Sequence, residues 1–273
     1  VPPPPDRRRI VYEAVLFEKA DSVATIALNR PERLNAFDGG LHRDLHAALD
    51  EAASDDDVRC VVLRGEGRGF SAGADLRGED LVRENGVPPD LGEYLRRTFA
   101  PSVERISAMD KPIIASLHGP VYGAGLGLAL ACDLRIAAES AKFSVAFVKI
   151  GLMPDAGVTY YLPRVIGLGR AMEMSLLGDA VNAEEALSIG LVNRVVPDEK
   201  LGEETTARAD RLANMPTRAL AGTRRAMCAS FEGDLRSALE REAEGQSTLG
   251  YTADHEEGVA AFFEKREPRF TGH

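Results

Sequence analysis

The chain has no tryptophan, few aromatic residues (6%) and three cysteines, Cys60, Cys132 and Cys228, among 273 residues. Thiols so few and so widely spaced, with no C-x-x-C, supply neither a disulfide framework nor a zinc knuckle, and they suit a reducing compartment. Basic residues are in deficit, since 33 Lys+Arg against 43 Asp+Glu leave a net charge of −10. Neutralising phosphates takes clustered Lys and Arg, so nucleic acid is not an expected partner. Long apolar runs are also missing. The longest uncharged stretch, Pro112 to Cys132, is broken by Pro120 and by glycines at 119, 123, 125 and 127. A membrane helix needs about 20 mostly apolar residues, so no membrane partner is expected. The opening Val1-Pro-Pro-Pro-Pro-Asp-Arg-Arg-Arg9 has no apolar core of the kind a secretion signal carries, and residues 1–9 read as a flexible tail. These absences together predict a cytoplasmic protein.

What is present describes an α/β chain. Val23–Leu28 and Val58–Leu63 are short, β-branched runs of the kind that form buried strands. Between them Leu41, Leu45, Ala48, Leu49 and Ala52 recur at helical spacing. Ile113–Leu117 and Asp133–Ala137 predict further strands on either side of a Gly-rich segment. Strands alternating with helices imply a largely parallel sheet. Asn182-Ala-Glu-Glu185 resembles a capping box, with Gly190 as the stop. Amphipathic helices alone then follow, over 208–215, 216–231, 235–249 and 254–265. The expected organisation is an α/β core over 10–197 and a helical region over 198–273.

Several motifs fail on inspection. Gly65-Glu-Gly-Arg-Gly69 and Gly123-Ala-Gly-Leu-Gly127 each lack the third glycine of a dinucleotide fingerprint, with Phe70 and Leu128 outside the pattern. His42 and His46 stand one helical turn apart, but Arg43 replaces the glutamate of a zinc-protease helix, and a solvated helix face is the expected explanation. His118 reads equally as a satisfied buried histidine or a catalytic one. Two segments resist a purely structural explanation, Gly69-Phe-Ser-Ala-Gly-Ala-Asp-Leu76 and His118 through Asp133. Both follow strands and are rich in residues with little side chain, so a ligand could reach backbone amides. The second runs into a helix whose N-terminal amides favour negative charge. Close strand–helix packing would select the same small residues.

Taken in order, Pro31-Glu-Arg-Leu-Asn-Ala36, Gly69-Phe-Ser-Ala-Gly-Ala-Asp75, Lys111-Pro-Ile-Ile-Ala115, the Gly-Ala-Gly helix ending in Ala-Cys-Asp133, and Glu184 to Val195 resemble the enoyl-CoA hydratase/isomerase (crotonase) superfamily. The likeness runs from about residue 11 to 270. It implies a spiral of ββα units, a helical C-terminal trimerisation region, and an acyl-CoA thioester substrate handled by a homotrimer or dimer of trimers. It further implies that the amides of Ala74 and Ala124 hold the thioester oxygen. Arg33 and Leu34, with the loop Ala72, Asp75 and Leu76, would bind coenzyme A, and Phe262 and Lys265 match positions near its nucleotide end. No separate cofactor is implied, because coenzyme A is part of the substrate. The RNA-binding branch of the family is disfavoured by the net charge of −10.

Departures from the family pattern set the expected chemistry. Hydratases of the family carry two glutamates where this chain has Gly127 and Phe147. Neither residue can activate water or protonate carbon, so a standard hydratase site is not expected. Asp155 is the carboxylate left nearby. From the residues alone, its placement before Ala-Gly-Val-Thr-Tyr-Tyr-Leu favours a helix-capping role. However, Ala146 to Gly157, Tyr161-Leu-Pro-Arg164 and Asp254 to Gly272 resemble the phenylacetate-pathway isomerase branch. There an Asp at this position is the acid/base that converts ring-1,2-epoxyphenylacetyl-CoA to the oxepin. On that likeness Asp155 shuttles a proton on a thioester-stabilised enolate, and Phe147 lines the acyl pocket. Family dehalogenases use the same Asp as a nucleophile beside a Trp, which this chain lacks. A hydratase with a non-standard site, and an acyl-CoA-binding paralogue without catalysis, are the alternatives.

Overall fold

In the computed structural model, residues 7–78, 81, 87 and 89–273 are described. The main sheet has seven strands in the order β1-β2-β3-β4-β5-β7-β10. They are β1 (Arg7–Val11), β2 (Val15–Ala20), β3 (Val23–Leu28), β4 (Cys60–Gly65), β5 (Ile113–Leu117), β7 (Leu134–Ala138) and β10 (Arg194–Val196). The first three pair antiparallel as a meander, and every pairing from β3 onward is parallel. A second sheet joins β6 (Pro120–Tyr122), β8 (Lys142–Ser144) and β9 (Val181–Asn182).

Alternation along buried strands sends neighbouring residues to opposite faces. Val61, Leu63, Ile113 and Ala115 enter the larger core, which they share with α1 (Gly39–Ser54), α2 (Leu91–Arg97), α3 (Phe99–Ala108) and α4 (Ala124–Ala131). Cys60, Val62, Ile114 and Ile136 face the other way, onto Leu201, Ala209 and Ala213 of α7 (Leu201–Ala213). The boundary expected at 197/198 therefore falls inside the packed structure, because α7 covers one face of the sheet. The helices that extend from the core are α8 (Thr217–Ala229), α9 (Leu235–Leu249) and α10 (Ala253–Glu264).

Two further expectations need correction. Arg7–Arg9, read as flexible tail, pair with Glu18–Ala20 as the outer edge of the main sheet. Charged side chains suit an edge strand, where they discourage pairing with another chain. Residues 1–6 of that tail lie outside the described residues. The proposed capping box at Asn182 is present in half, with its side chain accepting from the Glu185 N–H at 2.8 Å ahead of α6 (Ala183–Ser188). No helix among the described residues is long and apolar enough to cross a membrane.

Candidate active site

The first Gly-rich loop leaves the C-terminal end of β4 and is laced on both edges. On one edge Ala72 N–H donates to Leu34 O (2.9 Å), Phe37 N–H to Gly73 O (2.8 Å) and Asp75 N–H to Phe37 O (2.8 Å). In such a parallel bridge Ala74 turns its own N–H to the opposite edge, away from Phe37. On that edge Ser71 N–H donates to Pro120 O and Tyr122 N–H to Ser71 O. Gly73 has φ +93, and a methyl group on it would lie 3.1 Å from Tyr122 O and 3.4 Å from the Ala124 nitrogen. The residue before Ala74 thus abuts the start of α4. Ala124 is the first residue of that helix, behind Gly123 at φ +53, so its N–H has no intrahelical acceptor. Neither amide has an acceptor among the described residues. Two free N–H groups at adjoining loop and helix ends can together hold an anionic oxygen.

Asp155 stands in the turn between a 3-10 segment, Phe147–Ile150, and α5 (Val158–Leu177). The capping role is overturned here. The N-cap of α5 is Gly157, with no side-chain cap bond, and Asp155 contributes only its carbonyl, which accepts from Val158 N–H at 2.9 Å. Ala156 (φ +49) and Gly157 (φ +79) are both left-handed, and that pair shifts the helix start beyond the reach of the Asp155 carboxylate. Its Oδ1 is buried without a hydrogen-bond partner. Burial alone pushes the Asp155 carboxyl up to about 6. A carboxylate poised near neutrality and free of partners is equipped to accept and return a proton.

The positions of the two family glutamates are filled by other groups. A methyl on Gly127 would lie 2.3 Å from the Ala156 carbonyl oxygen, so the turn that carries Asp155 rests directly on α4. The ring of Phe147 lies over Gly123, with Cζ 3.8 Å from where a Cβ would be, and is 7% exposed. Ala74, Ala124, Phe147 and Asp155 are therefore all tied to α4 or its entry.

The remaining expected residues divide. Arg33 is exposed at the end of a 3-10 turn, Pro31–Arg33, and Leu34 (φ 52) follows it against Ala72. Leu76 is exposed beside them. Asp75, expected to contact coenzyme A, instead has its carboxylate 3.3 Å from the Arg30 guanidinium and accepts from Arg77 N–H at 3.2 Å. It braces the loop, and a carboxylate is a poor neighbour for an anionic ligand. Phe262 and Lys265 are exposed and stand apart. The segment that follows their helix is held through Phe270 O to Arg59, which precedes β4, whereas the site loops leave the other end of that strand.

Sequence reasoning missed the supports. Asn35, fully buried, donates from Nδ2 to Glu66 O and Gly69 O, both at 2.9 Å, and its own carbonyl accepts from the Ser71 hydroxyl at 2.8 Å. That hydroxyl in turn accepts from Gly73 N–H at 3.1 Å. An Asn between Leu34 and Ala36 is itself the signal, since its amide can serve several backbone groups at once. The solvated-face reading of His42 and His46 is corrected. His42 is 2% exposed, packed edge-on to Phe99 with centroids 4.4 Å apart, and burial lowers its imidazole to about 3. His46 Nε2 lies 2.8 Å from Ser102 Oγ. Both imidazoles face α3 as packing. His118 reaches Gly67 O at 3.0 Å and steadies the 65–69 turn.

The parallel sheet thus opens into two amide-lined loops beside one half-buried carboxylate whose Oδ1 has no hydrogen-bond partner. The sequence model described as enoyl-CoA hydratase/isomerase matches residues 18–273. Over 96% of this chain and 100% of the relative, it is 43% identical to a 1,2-epoxyphenylacetyl-CoA isomerase of Escherichia coli K12. Over 96% and 99%, it is 35% identical to a trans-2-decenoyl-[acyl-carrier-protein] isomerase of Streptococcus mutans. A solved enoyl-CoA hydratase of Bacillus anthracis superposes with a TM-score of 0.88 at 33% identity, covering 96% of this chain and 100% of that one. The chain belongs to the enoyl-CoA hydratase/isomerase family and has the crotonase fold, and its enzyme class acts on acyl-CoA thioesters.

Proposed function

We propose that the chain is an acyl-CoA isomerase in which Asp155 is the sole proton carrier. The amides of Ala74 and Ala124 hold the thioester oxygen and acidify the adjacent carbon. Asp155 takes a proton from C2 of a 3-enoyl thioester, and the electron pair moves into the dienolate whose oxygen those amides bind. The same carboxyl returns the proton at C4, leaving a 2-enoyl thioester. Atoms balance with no water and no change of oxidation state, so nothing beyond the substrate's own coenzyme A is required. A strained ring epoxide is a related substrate, on the strength of the likeness to the 1,2-epoxyphenylacetyl-CoA isomerase. The observation that carries this reading is the unpartnered, buried Oδ1 of Asp155, with Gly127 and Phe147 in place of carboxylates.

Arg33 and Leu34, with Ala72 and Leu76, form the proposed coenzyme A entrance, where the exposed Arg33 opposes the acidic field of the chain. The exposed Met227, Phe231, Leu235 and Leu239 support assembly into a homotrimer or dimer of trimers through α8 and α9. Phe262 and Lys265 are kept as proposed contacts to the nucleotide end. Buried thiols at Cys60 and Cys132, with a free exposed Cys228, fit a reducing cytoplasm.

Purified protein offered 3-hexenoyl-CoA and crotonyl-CoA, alongside Asp155→Asn, distinguishes the readings. Isomerisation that collapses in the variant is expected. Hydration without isomerisation would favour the non-standard hydratase, and binding with neither activity the non-catalytic paralogue.

A further inference from the structure

The first turn of α4 carries two glycines that face opposite ways. Residues two apart on a helix project about 200° apart. Gly125 lies against the first loop, where a methyl would sit 2.7 Å from Ser71 Cβ. Gly127 lies against the Asp155 turn, where a methyl would sit 2.3 Å from Ala156 O and 3.0 Å from Ala156 Cβ. All eight residues of α4 are buried, so the helix has no slack on the Ser71 side. The turn is pressed from behind as well, since a methyl on Gly157 would lie 3.2 Å from both the Tyr161 ring and Val103 Cγ1 of α3. Ala156, chiefly its backbone carbonyl, fills the space that a side chain at 127 would need.

We propose that Gly127 is a positioning residue: its missing side chain sets the separation between the Asp155 carboxylate and the Ala74 and Ala124 amides. This inference rests on the isomerase reading and extends it. Any side chain at 127 pushes the 155–157 turn outward, because α4 cannot retreat onto Ser71. A glutamate there and Asp155 in its present place are mutually exclusive on this backbone. Residue 127 thus selects one-carboxylate over two-carboxylate chemistry, without touching the substrate.

The test compares wild type, Gly127→Ala and Asp155→Asn, with 3-hexenoyl-CoA as probe. It also follows Asp155 by carboxyl 13C NMR titration, the resonance being the one lost in Asp155→Asn. In Gly127→Ala, kcat is expected to fall about 100-fold, the scale of an ångström of misplacement, with KM little changed. Asp155 is expected to titrate lower, towards an ordinary carboxylate, as its turn loosens and admits water. Unchanged kcat together with unchanged titration overturns the proposal while leaving the isomerase intact. A wild type that does not isomerise, paired with a shifted Asp155 in Gly127→Ala, removes the assigned reaction and supports the positioning role. If Gly127→Ala does not fold, Gly127→Ala/Ala156→Gly is measured against Ala156→Gly alone. The second change removes the Ala156 methyl and eases the left-handed backbone. A double variant with the kcat and titration of Ala156→Gly overturns the proposal, and a lower value of either supports it.

Discussion

Helices α4 and α9 divide the molecule's sequence logic between them. Every one of the eight residues of α4 is buried, whereas α9 has fifteen residues and buries none. The first helix is apolar all round and holds the site by close contact on each side. The second is amphipathic and turns Leu235 and Leu239 to the surface, 74% and 54% exposed. Small residues in α4 are dictated by what touches them, while Leu235 and Leu239 of α9 stand open to solvent. The proposed chemistry lies in the tightly packed half, and the proposed assembly surface in the open one.

Substitutions in the packed half are expected to act on rate, with the largest effect at the carboxylate. Asp155→Asn should lower kcat on 3-hexenoyl-CoA by about 10²–10⁴-fold, the usual worth of a positioned acid/base, as steady-state kinetics would record. A loss below tenfold would break the assignment. Gly73→Ala comes next. It places a methyl 3.1 Å from Tyr122 O on a φ of +93 and shifts Ala74 relative to Ala124, so about 100-fold in kcat is expected. The same variant with full activity would separate those amides from the chemistry.

Asp155→Asn should also stabilise the protein at neutral pH. A carboxyl raised to about 6 in the fold ionises more easily in the unfolded chain. Native stability therefore falls as pH rises from about 4 to about 6, and the variant escapes that loss. Thermal melts should show it more stable by roughly 1–3 kcal/mol at pH 7 and no different below pH 4. The matching kinetic signature is a wild-type kcat/KM that climbs with pH through about 6 and then levels, since only the ionised form accepts a proton. A profile flat between pH 5 and 8 would contradict it.

In the open half the smallest effect on the folded chain is expected. Leu235→Arg and Leu239→Arg should leave its stability within about 0.5 kcal/mol while reducing the assembled mass seen by light scattering. Unchanged mass would move the assembly surface away from α9.

Much of this was readable from residues alone. The strands Val23–Leu28 and Ile113–Leu117 coincide with β3 and β5, and 235–249 with α9, because their periodicities are strong and uninterrupted. The two Gly-rich loops also stand out by composition, whereas Asp155 is singled out only by the family resemblance. What escaped depends on contacts between distant residues. Asp155 could be taken for a helix cap because nothing local announces a left-handed Ala156. His42 looked solvated because α3, which buries it, starts 57 residues later. Gly127 resembled a lost glutamate, and only the Ala156 carbonyl shows why a side chain has no room. Arg7–Arg9 read as tail because three arginines conceal a strand that stands at the edge of the sheet among the described residues.

Deuterium transfer separates a single proton-carrying carboxylate from any two-group or water-borne route. With 3-hexenoyl-CoA deuterated at C2, turned over in ordinary water and stopped at low conversion, Asp155 acting alone through its buried Oδ1 should deliver label to C4 of the 2-hexenoyl-CoA product. Mass spectrometry is expected to find most of the transferred position still carrying deuterium. Product with no deuterium at C4, from an enzyme that isomerises at full rate, would show that the proton passes through solvent and that Asp155 is not its sole carrier.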